Sequence, residues 1–256
     1  MFVFQYMISM QNMSHLFPDP LLNSLFYYPI FLYHFNISNL HIIINMIQIK
    51  SFTFNDFQEN TYIIYNEKDC IVIDPGNYLK SEDLEIKDFI DRHNLKLNYV
   101  LLTHCHIDHI LGLKYLHENY KMDVYIPEGE LEMYKSSENI SIIYGLNLYN
   151  HLDSVQLIKS NSKLNFCNNQ IEIINVPGHS PDHLAYFFRD SKVCFSGDVL
   201  FKNSIGRTDL PGGDYDTLIN SINNNLFTVG DDILIYPGHG PTTIISDEKN
   251  ENPFLI

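Results

Sequence analysis

At 256 residues the chain is long enough for one large domain with a substantial buried core and short for two. Its 45% hydrophobic and 18% charged content is that of an ordinary globular protein and excludes disorder over most of its length. The formal charge of −15 argues against nucleic acid and anionic membrane surfaces as partners, since both are held by clustered Lys and Arg. The four cysteines, Cys70, Cys105, Cys167 and Cys194, form no CxxC pair and read as reduced thiols of a cytoplasmic protein.

Residues 1–45 stand apart. They hold no Lys or Arg and a single acid, Asp19, so they lack the basic residues of a secretory signal or a transit peptide. The apolar run at residues 21–44 is interrupted by Asn23, Pro29, His34, Asn36, Asn39 and His41, which disfavours a membrane span. The expectation is a dispensable extension at 1–45 ahead of a domain at 46–256.

Residues 62–65 and 70–74 are β-rich runs joined by Asn66-Glu67-Lys68-Asp69, a hairpin ending at Pro75-Gly76. Ser81 is positioned to cap a helix with Ile86, Phe89 and Ile90 on one face. Residues 99–102 form an apolar run of the buried-strand kind, and residues 109–120 have helical spacing. Further strands are expected at 124–126, 171–176, 184–188, 193–195 and 233–236, with a helix from about Tyr215 to Leu226 between the last two. Strands mixed with helices in this way imply a layered domain.

Thr103-His104-Cys105-His106-Ile107-Asp108-His109 packs four potential metal ligands behind a strand. In a turning loop His104 and His106 can face one ion while Asp108 and His109 face a second. Four donors from one loop do not close a two-metal site. Further donors stand at Pro177-Gly178-His179, Ser196-Gly197-Asp198 and Pro237-Gly238-His239, each after an expected strand and each beside small or turn-forming residues.

These four motifs, in this order, resemble the metal motifs of the metallo-β-lactamase superfamily over about residues 46–256. The resemblance implies an α+β fold, a four-layer αββα sandwich with the site at one edge of its two sheets. It implies two divalent metal ions, zinc by default, with iron and manganese as alternatives. His104, His106 and His179 would hold the first, Asp108, His109 and His239 the second, and Asp198 would bridge them. Asp108 would also act in catalysis by orienting a hydroxide nucleophile.

The stretches Ile205-Gly206-Arg207-Thr208-Asp209-Leu210-Pro211-Gly212-Gly213, Gly240-Pro241-Thr242-Thr243 and Asn252-Pro253-Phe254 resemble a short, single-domain glyoxalase II-like subgroup. That implies hydrolysis of small-molecule thioesters such as S-lactoylglutathione. The longer glyoxalase II enzymes grip glutathione with a C-terminal helical domain, whereas 17 residues follow His239 here, which leaves room for another thiol carrier. Arg207 is a candidate anchor for an anionic substrate group, against a buried ion pair with Asp209 or another carboxylate. His183 is expected to pack beside the ligands and Cys105 to face the core, while Tyr144 and Tyr149 are candidate hydroxyl contacts. Two alternatives are a mononuclear-iron persulfide dioxygenase using His104, His179 and Asp198, and a metal-binding module without catalysis. No motif speaks to oligomeric state.

Overall fold

The computed structural model describes residues 47–146 and 149–256; the expected extension at 1–45 lies outside the described residues. One six-stranded sheet contains, in order, β1 (Gln48–Phe54), β2 (Glu59–Tyr65), β3 (Asp69–Ile73), β4 (Lys96–Leu101), β5 (Asp123–Pro127) and β6 (Gln156–Ile158). After it in the chain come β7 (Leu164–Phe166), β8 (Asn169–Asn175), β9 (Leu184–Phe188), β10 (Val193–Gly197), the hairpin β11 (Leu200–Phe201) and β12 (Ser204–Ile205), then β13 (Leu234–Pro237) and β14 (Thr243–Ile244). The second six-stranded sheet has the order β14-β13-β10-β9-β8-β7.

Side chains alternate between the two faces of a strand, and here both faces are covered. Tyr62, Ile64, Ile71 and Ile73 point into a core shared with Tyr186, Phe188 and Phe195 of the other sheet. Their neighbours Ile63, Cys70 and Val72 point the opposite way, into a core shared with α1 (Lys80–Arg92), α2 (Leu113–Tyr120) and α3 (Leu131–Ile143). Ala185, Phe187 and Cys194 pack outward with α4 (Tyr215–Asn224) and α5 (Ile245–Glu251). Three cores between four layers make the αββα sandwich.

The direction of the strands sets the site. β3 runs parallel to β4, so both end at one edge of their sheet. β10 runs parallel to β13, and β8 shares their direction because it is antiparallel to β9, itself antiparallel to β10. Every donor motif leaves the carboxyl end of one of these strands. The sheets are tied together there: Asn60 N donates to Gly238 O at 2.7 Å, Leu184 N to Thr103 O at 2.8 Å, and Tyr62 Oη to Pro237 O at 2.6 Å.

Several expectations need correction. Ser81 lies inside the first turn of α1; Glu82 caps it, its Oε2 accepting from the amides of Tyr78 and Leu79 at 2.7 and 2.9 Å, while Oε1 accepts from the Asn55 amide at 2.8 Å. The helix expected over 109–120 begins only at Leu113, because Ile107–His109 is a 3-10 turn that swings Asp108 and His109 into the cluster. Gly112 fixes that break: its amide donates to Pro75 O at 2.8 Å, and a Cβ there would stand 1.8 Å from Asn77 Oδ1. No disulfide forms among the described residues, and no helix among them is long and apolar enough to cross a membrane.

Candidate metal centre

Loops at strand ends deliver the donor side chains, and backbone geometry decides where they arrive. Gly238 brings the chain so close to the cluster that a Cβ would lie 2.1 Å from Asp198 Oδ1 and 2.7 Å from His109 Cε1. Gly178 sits at φ +124, where an L side chain is strained, against the backbone of Leu218.

The expected donors converge in two groups. His106 Nδ1 stands 3.1 Å from His104 Nε2 and 2.8 Å from His179 Nε2. His239 Nε2 stands 3.1 Å from Asp108 Oδ2, with His109 Nε2 3.6 Å from the same oxygen. Each trio keeps its ligand atoms within 4.8 Å of one another. Asp198 reaches both: Oδ2 is 3.6 Å from His179 Nε2 and 3.4 Å from His239 Nε2, and Oδ1 is 3.5 Å from His109 Nε2.

Behind the cluster, the outer ring nitrogens are occupied. His179 Nδ1 donates to Arg207 O at 2.8 Å, His239 Nδ1 to Gln58 O at 3.1 Å, and His109 Nδ1 to Asp74 Oδ2 at 3.2 Å. Thr103 Oγ1 donates its one proton to Asp74 Oδ2 at 2.6 Å, so it accepts from His104 Nδ1 at 3.0 Å. Asp74 thus orients His109 directly and His104 through Thr103. Asp74, His104 and His109 also lie within 4.8 Å of one another. That side is already filled by N–H protons and holds the rings instead of presenting lone pairs. A histidine whose second nitrogen is pinned by a carbonyl or carboxylate is the arrangement metal-ligating imidazoles use.

Electrostatics divides the two trios. Burial pushes His104 well below the ordinary histidine range, lowers His106 to about 4, and lowers His179, leaving three neutral imidazoles. Burial also opposes charge on His109 and His239, but Asp108 and Asp198 outweigh it and raise both, His239 to about 10. The same contacts, His109 foremost, overcome burial to hold Asp108 and Asp198 below the carboxylate range. Around the second trio, the charges of Asp108 and Asp198 are therefore balanced by protons on His109 and His239.

A metal fits these residues on their own chemistry. His109 Nε2 and Asp198 Oδ1 are buried with no hydrogen-bond partner among the described residues, a state that costs about 1–3 kcal/mol per group unless something fills the space between them. Imidazole and carboxylate donors suit zinc, iron or manganese.

His183 is buried, stacks on His104 with ring centroids 4.7 Å apart, and its Nε2 accepts from the Asp198 amide at 3.1 Å, so it places the carboxylate that faces both trios. Cys105 faces the helix-side core. Arg207 does pair with Asp209, through two bonds of 2.6 and 2.7 Å, but the pair is exposed, not buried. Tyr149 is buried against Ser137 Oγ at 3.0 Å, whereas Tyr144 lines a cavity of about 980 Å³ above the cluster. Sequence reasoning missed Asp74 and Glu59. Glu59 is fully buried, and burial pushes its carboxyl well up; Oε2 accepts from Thr61 Oγ1 at 2.8 Å, and Oε1 lies 3.9 Å from His109 Nδ1.

Residues 54–239 match the metallo-beta-lactamase superfamily. The chain is 37% identical over 202 residues to hydroxyacylglutathione hydrolase GloC of Haemophilus influenzae, covering 78% of this chain and 93% of that protein. It is 34% identical over 200 residues to the probable metallo-hydrolase YqgX of Bacillus subtilis, covering 77% and 92%. Its structure is similar to the crystal structure of TTHA1623 in a di-iron-bound form, with a TM-score of 0.71 and 31% identity, covering 80% of this chain and 100% of that one.

Proposed function

Since the chain belongs to the metallo-beta-lactamase superfamily, we propose that it is a cytoplasmic metal-dependent hydrolase of thioesters of the hydroxyacylglutathione type. The observation that carries this reading is the pair of donor trios facing Asp198 at the floor of one cavity. His104, His106 and His179 would hold one divalent ion, and Asp108, His109 and His239 a second.

Metal ions bound there would supply Lewis acidity to the thioester carbonyl and to a water nucleophile. The protein's own groups do the rest. Asp198 keeps the two halves of the site in register, with His183 fixing its backbone. Asp108, whose Oδ2 faces His239, orients the nucleophile by accepting its hydrogen bond. Asp74 and Thr103 hold the rings of His104 and His109, so the site is organised before substrate arrives. A thiolate leaves readily, so no side chain need donate a proton to it.

Metal analysis of the purified protein, combined with S-lactoylglutathione hydrolysis with and without oxygen, tests this function. Two ions per chain and oxygen-independent cleavage are expected. One iron per chain with oxygen uptake on a persulfide would overturn it. The activity belongs to residues 46–256, and a chain beginning at Met46 is expected to fold and to keep the full rate.

A further inference from the structure

Away from the donors, the cavity is walled by apolar side chains from separate parts of the chain. Met133, Ile140 and Ile143 come from α3, Phe57 from the turn between β1 and β2, and Leu210 and Pro211 from the loop after β12. Tyr144 meets Phe57 edge to face at 5.5 Å. Ile143 is 80% exposed and Tyr144 51% exposed at the mouth. Large apolar groups gathered in water around a concave site mark a surface that a ligand covers.

The charges on the wall agree. Apart from the donors, the charged residues lining the cavity among the described residues are Glu132 and Arg207. The Arg207 guanidinium is forked onto Asp209, and Glu132 pairs with Lys135 at 2.8 Å. Glutathione would bring its two carboxylates past a wall whose one cationic side chain among the described residues, Arg207, is already paired. Hydrocarbon would meet side chains whose exposed surface it removes from water.

We propose that the cavity selects thioesters of medium-length aliphatic acids and binds them through the acyl chain, with the thiol carrier contributing little. This specificity rests on the thioester hydrolysis proposed above and narrows it: S-lactoylglutathione is cleaved, but less efficiently than a longer aliphatic thioester. It places the binding selectivity in α3, Tyr144 and Phe57 instead of Arg207.

The test uses the metal-loaded full chain and four substrates: lactoyl and hexanoyl thioesters, each on glutathione and on N-acetylcysteamine, an uncharged thiol. Each buried methylene is worth about fourfold, so kcat/KM is expected to favour hexanoyl by at least about tenfold on both thiols. Changing the thiol should shift kcat/KM by less than about threefold. Ile143→Ser and Met133→Gln should lower kcat/KM for hexanoyl at least about fivefold more than for lactoyl, through KM. Equal rates for the two acyl groups, or an equal loss for both in the variants, would overturn the proposal.

Calorimetry with the uncleavable thioethers S-hexyl- and S-methyl-N-acetylcysteamine separates the cavity from the reaction. Tighter hexyl binding that Ile143→Ser abolishes sustains the cavity's selectivity, even where no thioester is cleaved and the hydrolase function fails. Equal binding of the two overturns the selectivity, even where thioesters are cleaved.

Discussion

The donor edge and the cavity wall meet at the same opening but are held in opposite ways. At the edge, the side chains are braced from behind: His179 on Arg207 O, His239 on Gln58 O, His109 on Asp74, and Asp198 on His183. Gly238 leaves no room for an added Cβ. At the wall, Ile143 and Tyr144 stand largely in solvent where α3 ends, and Tyr144 leans on the ring of Phe57. Reacting atoms need placement to a fraction of an ångström, which demands braces. A hydrocarbon wall needs only area, so it tolerates looseness. Changes at the edge should therefore abolish chemistry, and changes at the wall should redirect it.

The largest expected effect is Asp198→Ala, which removes the carboxylate common to both trios and leaves His109 and His239 without it. The kcat/KM for thioester is expected to fall by about 1000-fold or more, with loss of bound metal. A variant that kept both metals and a tenth of the rate would break the contrast. Asp74→Asn comes next: it touches no metal, yet its braces on His109 and Thr103 weaken, so metal affinity should drop about 10–100-fold in competition with a chelator.

Removing the metal should lower stability as well as activity. Each site occupied at 100 times its dissociation constant adds about 2.7 kcal/mol, and a domain of this size shifts by about 2–4 °C per kcal/mol. Calorimetry after chelation should therefore show Tm lower by about 5–20 °C, restored on adding zinc. The wall should behave otherwise: Ile143→Ser, at an exposed position, should change stability by less than about 0.5 kcal/mol in denaturant unfolding. Smallest of all, Arg207→Ala should leave Tm unresolved from wild type and kcat/KM within about threefold, since the guanidinium is spent on exposed Asp209. A larger loss, confined to anionic thiols, would return Arg207 to substrate binding.

The same contrast explains what could be read in the sequence. The converging side chains were legible because four of them crowd one short loop behind an apolar run, while His179, Asp198 and His239 each follow a glycine at the end of one, patterns that local sequence carries by itself. β9 and β10 were legible as unbroken apolar runs, since both of their faces are covered. Asp74 was hidden at the end of a hairpin, because its partners Thr103 and His109 lie 29 and 35 residues away. α3 was hidden because Ser136, Ser137 and Ser141 are weak helix formers; in the fold their hydroxyls bond carbonyls three residues back. Its weak amphipathic pattern also left the cavity wall without a signal. Ser81 misled for a related reason: the cap is Glu82, tied to Asn55 on the distant turn after β1.

Two separate trios that each hold an ion and face one shared Asp198 should bind metal independently. Anaerobic zinc titration of the metal-stripped protein tests this most directly, with His179→Ala and His239→Ala run beside the wild type. The wild type is expected to bind two equivalents and each variant one. A single equivalent in the wild type, or two retained in His239→Ala, would contradict it.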